Sequence, residues 1–347
     1  MNILGLMKDM TNIGAVDHYR LHSPLEEVNR QDNGIVCHYE DKATVVRMGV
    51  KADDLLDDHD VLFLARSWYG PAGLGAPFIE MVHSRNCLVV IDSDDDLTET
   101  YKLTSGRGDD FKAVLGMVDY VTCSTPPLAE LFAQWSQKPP TVLRNCVEGD
   151  WMRKAGRNGK PPHLQGRLTI GFSGSPTHWG DWYLPAVPFA RIGKDFPEVL
   201  LTLHGNTPSY LKYAGEQADL LLVPKCPLSM YPSALRHFDI VLCAVDSRDE
   251  FNAGKSAVKA LECMALGVVP ICSRFEPYMD LEKAGAPLVV VPEDSRDAWY
   301  EAMRAMVQPG GYREALSAAG PQWVRENRDM TISGYKQWES FFRGIID

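Results

Sequence analysis

The first half of the chain carries short apolar runs, each closed by loop residues and followed by a helical pattern. They are NILGL (2–6), GIVCHY (34–39), DVLFLA (60–65), CLVVID (87–92), DYVTCS (119–124) and TVLRN (141–145). Apolar residues stand at consecutive positions, which predicts parallel strands covered on both faces. Strand alternating with helix then predicts a doubly wound α/β sheet. The Gly-, Pro- and base-rich stretch GDWMRKAGRNGKPPHLQG (149–166) interrupts the pattern. A second series follows: RLTIGFSG (167–174), VLLTLHG (199–205), DLLLVP (219–224), DIVLCAV (239–245), VVPICS (268–273) and PLVVVP (287–292). The chain finishes in a helical stretch from Ile332 to Asp347. There is no repeat of solenoid length and no low-complexity segment.

The expected organisation is therefore two Rossmann-like domains facing each other across a cleft. They are an N-terminal domain over 1–150, a linker over 151–166 and a second domain over 167–328. A terminal helix within 329–347 is expected to pack back on the first domain. A length of 347 residues suits two domains at roughly 150 residues each. Ligands of open α/β sheets bind beyond the carboxyl ends of the strands, so function is expected in the loops that follow those ends.

Composition narrows the function classes. The chain is 45% hydrophobic and 23% charged, with a formal charge of -11, which provides no general field for a polyanion. Its eight cysteines include no C-x-x-C pair and several lie in apolar runs, so they read as reduced core residues. The start MNILGLMKDM has no basic leader ahead of a long apolar stretch, and no window of 18 apolar residues occurs. Neither a signal peptide nor a transmembrane segment is expected. The chain reads as cytoplasmic, with peripheral contact at a membrane surface left open.

The most informative stretch is DSRDEFNAGKSAVKALECMALGVVPICS (246–273). A helix beginning near Gly254 would place Lys255, Lys259 and Glu262 on one face, with Ala257, Leu261 and Met264 on the other. AGKS invites a phosphate-loop reading, but that pattern needs glycine at 249 and the chain has Asp249. An amphipathic helix with solvated lysines is the plain alternative.

FNAGKSAVKALECMALGVVPICS (251–273) resembles the nucleotide domain of GT-B glycosyltransferases, in particular glycosyltransferase family 4. There, a Lys/Ser loop opens a helix that bears a glutamate, and A-x-G-x-x-P leads into the next strand. The resemblance implies that the helix start, Lys255 and Ser256 hold a nucleotide diphosphate and that Glu262 accepts hydrogen bonds from ribose. It also implies that Lys259 supports the phosphates or orients Glu262. Many members carry a first glutamate eight residues earlier, where this chain has Gly254. Donor-sugar recognition then falls to Asn252 or to the backbone around Ala253 and Gly254.

Weaker resemblances extend over most of the chain. TIGFSGSPTHWGDW (169–182) matches the first strand and loop of that domain, with Gly174, Ser175 and His178 toward phosphates or acceptor. VPKCPLSMY (223–231) falls where the base is read, which makes Val223 and Lys225 candidates. VLRNCVEGDW (142–151) and YVTCSTPPLAELF (120–132) match the close of the N-terminal domain. In MTNIGAVDHYRLHSPLEEV (10–28), Gly14 suits the diphosphate, and Tyr19 and Arg20 resemble a YR element flanked by His18 and His22. His18, Tyr19, Arg20 and Arg66 are the acceptor candidates.

The resemblance implies glycosyl transfer from a nucleotide-diphosphate sugar to an acceptor hydroxyl, with retention and no obligatory metal or other cofactor. Lys255 and the helix start would neutralise the departing diphosphate. The implied acceptor is a saccharide or lipid-linked saccharide, and a hydroxymethylated base in DNA is the alternative. A non-catalytic nucleotide-sugar-binding module is a reading from another class. VVIDSDDDLTET (89–100) adds a further question. Its Asp-x-Asp pairs suit a metal-dependent GT-A enzyme, and its aspartates also suit a helix cap. At the end of the fourth strand they are better placed to face an acceptor, with Asp94 and Asp95 as proton acceptors and Asp96 as a binding contact.

Overall fold

The computed structural model describes residues 1–11, 13–41, 56–65, 76–98, 108–155, 160–174, 180–205 and 218–345. The chain forms two compact units. Unit 1 comprises Met1–Cys146, Glu250–Ser256 and Met330–Asp347, and unit 2 comprises Val147–Asp249 and Ala257–Asp329.

The strands of unit 1 are β1 (Asn2–Met7), β2 (Val36–Asp41), β3 (Val61–Ala65), β4 (Leu88–Ser93), β5 (Tyr120–Cys123) and β6 (Thr141–Val142). They pair in parallel in the order β2-β1-β3-β4-β5-β6. Side chains alternate between faces along each strand. Leu4, Leu6, Leu62, Leu64, Val89 and Ile91 therefore enter one core, with Phe111 and Phe132. Ile3, Met7, Val61, Phe63 and Val90 enter the other, with Trp338 and Phe342. Covering both faces is why the inner strands are mostly apolar, whereas β2 at the sheet edge carries His38, Glu40 and Asp41. The helix Tyr335–Gly344 closes the second face. Trp338 and Phe342 meet the Phe63 ring edge-on at 5.8 and 5.9 Å between centroids, and Gln337 exchanges two 2.8 Å hydrogen bonds with the Arg144 backbone.

Unit 2 repeats the plan with β7 (Thr169–Gly174), β8 (Leu200–Gly205), β9 (Leu220–Val223), β10 (Ile240–Cys243), β11 (Val269–Cys272) and β12 (Val289–Val290). All pair in parallel, ordered β12-β11-β10-β7-β8-β9. The order reverses between β7 and β10, and ligands of such sheets lie beyond the strand carboxyl ends at that reversal. One face is apolar: Ile170, Phe172, Leu201, Leu203, Ile240 and Leu242 pack with Trp182, Phe189 and Trp299. On the other face β7 and β8 present Gly171 beside Thr202 and Ser173 beside His204. Two neighbouring strand ends are crowded, and the end of β8 requires glycine. Gly205 has φ +88° and a Cβ there would lie 2.4 Å from the Gly174 carbonyl oxygen, while one on Gly174 would lie 2.2 Å from the Phe172 ring.

The helix expected near Gly254 starts later. A short 3-10 turn covers Glu250–Gly254, and the α-helix is Val258–Ala265. Lys255 thus precedes the helix and does not share its face with Lys259 and Glu262. Nor is the helix one-sided, because every residue from Ala260 to Ala265 is buried. The stretch read as a linker contains the helix Gly149–Ala155. All eight cysteines are free; Cys226 is half-buried and the others are buried.

Candidate functional site

In unit 2 a line of polar side chains crosses the carboxyl ends of β7 and β8. Ser173 Oγ lies 2.8 Å from His204 Nδ1 and donates at 3.5 Å to the Tyr231 hydroxyl. Tyr231 in turn donates to Glu262 Oε2 at 3.2 Å. On the far side Cys226 Sγ lies 3.6 Å from His204 Nε2. Burial, with His237 adding, lowers the His204 pKa to about 4, so the imidazole is neutral. Burial lifts the Tyr231 phenol well above its ordinary value, and Glu262 adds to that. One turn before Glu262, Lys259 holds its ammonium 4.8 Å from the centre of the Phe172 ring. A carboxylate and a lysine at the end of a parallel sheet suit a ligand that offers hydroxyls and negative charge.

In unit 1 the corresponding ends carry a charged cluster. Arg20 lies in the π-helix His18–His22, a geometry common at functional sites. Its guanidinium grips Asp92 at 2.9 and 2.7 Å and also donates to the Leu143 carbonyl and Asn145 Oδ1 at 2.6 and 2.8 Å. It stacks 5.0 Å from the centre of the Trp338 ring. Thr122 donates a further bond to Asp92 at 2.7 Å. Both charged side chains are 0% exposed. Burial opposes each charge, yet Asp92 holds Arg20 above its ordinary value. Burial lifts Asp92 despite Arg20 and Thr122. The bidentate contact to a guanidinium that does not lose its proton keeps Asp92 ionised.

This cluster reaches the Glu250–Ser256 segment. Asn145 Nδ2 donates to Ser256 Oγ at 2.8 Å, and Thr125 Oγ1 donates to the Gly254 carbonyl at 2.9 Å. A Cβ on Gly254 would lie 2.4 Å from Leu128 Cδ2, so any larger residue there requires Leu128 to shift. Lys255, between these two anchors, is 9% exposed, with its ammonium 4.9 Å from the centre of the Phe251 ring. Asn252 beside it is buried.

No protein-family model matches the chain, and no curated protein sequence matches it. Solved structures do match its backbone. Anabaena HepE in complex with UDP and glucose aligns with a TM-score of 0.69 at 10% identity, over 99% of this chain and 100% of that one. Sucrose-phosphate synthase from Thermosynechococcus elongatus gives 0.66 at 10% identity, over 100% and 99% of the two chains. A glycosyltransferase from Rickettsia africae gives 0.65 at 10% identity, over 100% and 98%. The fold is GT-B.

Within the GT-B units the expected residues divide. Glu262 and Lys259 stand together at the end of the unit 2 sheet, and Gly174 ends β7. Val223 ends β9 half-buried and Lys225 is exposed just beyond it. Asn252, Gly254, Lys255 and Ser256 belong to unit 1. Gly14 is exposed before the turn Ala15–Asp17. His18 and Tyr19 are buried, and burial with His22 nearby lowers the His18 pKa to about 4.

Arg20, expected to touch an acceptor, is instead enclosed, with its donors committed to Asp92, Leu143 and Asn145. Asp96 is also buried and accepts two bonds from Thr98, at 2.9 and 2.6 Å, which closes a turn. Asp94 and Asp95 are half-buried. With Asp92 bound to Arg20, the first Asp-x-Asp pair is not an open chelate. Among the described residues no group of three or more His, Cys, Asp or Glu side chains is placed to hold a metal ion. Ser175, His178 and Arg66 lie outside the described residues.

His204, Ser173 and Tyr231 escaped the sequence reading, although a signal was present. In TIGFSG Thr169, Gly171 and Ser173, and in LLTLHG Thr202 and His204, are small or polar at alternate positions, which marks one face of two neighbouring strands as something other than core. At the opposite, amino-terminal end of unit 2 a cavity of about 400 Å³ is lined by Lys160, Arg167, Asp239 and Arg313. Its charges are paired within the unit, Lys160 with Asp239, Arg167 with Asp219 and Arg313 with Glu314. No helix among the described residues is long and apolar enough to cross a membrane.

Proposed function

We propose that the chain is a glycosyltransferase that takes its sugar from a nucleotide-diphosphate sugar and delivers it to a hydroxyl of a saccharide or lipid-linked saccharide. The observation that carries this reading is the likeness over the whole chain to HepE, a protein whose structures hold UDP-glucose and UDP with glucose. Glu262 binds the ribose hydroxyls through its carboxylate, and Val223 and Lys225 border the base. Lys259 and Lys255, with Asn252, Gly254, Ser256 and Gly174, serve the diphosphate and sugar. Neutralising the leaving diphosphate is the main chemical task, and fixed cationic groups accomplish it without reorganisation. Transfer then proceeds with retention and without an obligatory metal. Asp94 or Asp95 receives the acceptor proton, His18 and Tyr19 shape the acceptor side, and Gly14 borders the diphosphate. The chain's charge of -11 favours a saccharide over DNA.

Calorimetric titration with UDP-, ADP- and GDP-glucose tests the reading. One of them should bind, and Glu262→Ala should weaken it by about tenfold or more, since each hydrogen bond to a charged group contributes about 1.5–3 kcal/mol. Wild-type affinity in that variant, or no binding by any nucleotide sugar, overturns it.

A further inference from the structure

The polar face of β7 and β8 carries more than the binding of a nucleotide requires. Most buried strand positions in this molecule are apolar, yet on this face Ser173 and His204 are 2% and 4% exposed. Burying two such groups is unfavourable unless each is satisfied, and here the bonds that satisfy them run in one file to Glu262.

We infer that Tyr231, Ser173, His204 and Cys226 form a one-directional hydrogen-bond relay that positions the Glu262 carboxylate for the nucleotide ribose. The inference rests on the glycosyltransferase reading for the role of Glu262. Its direction follows from donor bookkeeping. Tyr231 has one hydroxyl proton, donated to Glu262 Oε2 at 3.2 Å, so its oxygen is an acceptor for Ser173 at 3.5 Å. Ser173 has then used its own proton, and its oxygen accepts from His204 Nδ1 at 2.8 Å. A neutral imidazole that donates from Nδ1 leaves Nε2 as an acceptor, and Cys226 Sγ is 3.6 Å from it. The thiol completes the file as a donor.

Every proton therefore points toward Glu262. Aligned donors polarise one another, so the far members reinforce the bond to the carboxylate. The longest link, between Ser173 and Tyr231, is the weakest. The protonation states agree with the direction. Burial raises the Cys226 thiol and keeps it protonated, and it holds His204 neutral and Tyr231 protonated. Tyr231 fixes one carboxylate oxygen and with it the plane of the group, while Ser173 and His204 fix Tyr231. These are positioning residues, since none is proposed to touch the nucleotide.

The test has two parts. Two-bond ¹H–¹⁵N correlation on the unliganded protein, with the His204 signal assigned by its absence in His204→Asn, should show the Nδ1–H tautomer. An Nε2–H tautomer overturns the relay. Calorimetry with whichever of UDP-, ADP- or GDP-glucose binds should show about a tenfold weakening in Tyr231→Phe and in His204→Leu. His204→Asn, whose amide donates from near the Nδ1 position, should restore most of it. Tyr231→Phe should add little to the loss already present in Glu262→Ala, because the two act through one group. Circular dichroism on each variant confirms that it is folded. If Glu262→Ala loses affinity while Tyr231→Phe binds as wild type, the relay fails and the glycosyltransferase reading stands. If Glu262→Ala binds as wild type, that reading fails, while the tautomer still decides the relay.

Discussion

Both units bury a polar network where their parallel strands end, but the two are built from different chemistry. In unit 1 Arg20 and Asp92 are charged, bidentate and entirely enclosed, with Thr122, Leu143 and Asn145 satisfying what remains. In unit 2 Cys226, His204, Ser173 and Tyr231 are all neutral and meet one carboxylate, Glu262. A buried ion pair is worth little relative to a well-packed apolar substitute, yet loss of one partner is costly because the other is stranded. A neutral file costs less to bury and loses only one modest bond at a time. The first arrangement suits a fixed anchor. The second suits the fine adjustment of a group that must meet a ligand.

The largest effect that separates them is expected on Arg20. Arg20→Leu strands Asp92 and should destabilise the protein by about 3–5 kcal/mol in urea denaturation, and Arg20→Leu with Asp92→Leu should recover much of that. If the double variant is no better than the single one, hydrogen bonds to Leu143 and Asn145 outweigh the ion pair.

Next in size is the pH response, which involves one histidine in each unit. His18 and His204 both have folded pKa values of about 4 against an ordinary 6.5. As pH falls, the unfolded chain takes up these protons first. The stability present above pH 6.5 is therefore lost progressively between 6.5 and about 4, by up to about 3 kcal/mol per histidine. His18→Gln and His204→Asn should each flatten part of the stability profile. A profile that stays unchanged in one of them removes that histidine from the account.

Smallest is Asn145→Ala, expected to cost about 1–3 kcal/mol, because Arg20 loses an acceptor and Ser256 a donor. Faster amide exchange confined to 250–256 would identify Asn145 as the anchor of that segment. Unchanged exchange there assigns the anchoring to Thr125 alone.

Much of the fold was legible in the chain, for a physical reason. A parallel strand covered on both faces is apolar along most of its length, so each of the twelve strands overlaps a run marked by that rule, down to two-residue β6 and β12, while β1, β2 and β4 extend past theirs to Met7, Asp41 and Ser93. Glu262 and Lys259 were singled out by their spacing in a helical pattern, and the structure sets them on one helix, beside Tyr231 and the Phe172 ring. Other features depended on distant partners. The helix begins at Val258, past Lys255, because the preceding residues are held by Thr125 and Asn145, more than 100 positions earlier in the chain. Arg20 was read as an acceptor contact because nothing adjacent to it announces Asp92, 72 positions away. His204 and Ser173 meet only through the register of β7 against β8.

The segment Glu250–Ser256 lies in sequence between two stretches of unit 2 yet belongs to unit 1. The chain leaves unit 2 at Asp249, spends seven residues in unit 1 and re-enters at Ala257. A fragment cut at the obvious boundaries, from Val147 to Asp329, would carry Lys255 away from both of its anchoring neighbours, Asn145 and Thr125. Recombination that exchanged one half for that of a relative would face the same mismatch. A domain exchange that keeps the contacts of Gly254 and Ser256 must carry Thr125, Leu128 and Asn145 along with the seven-residue loop.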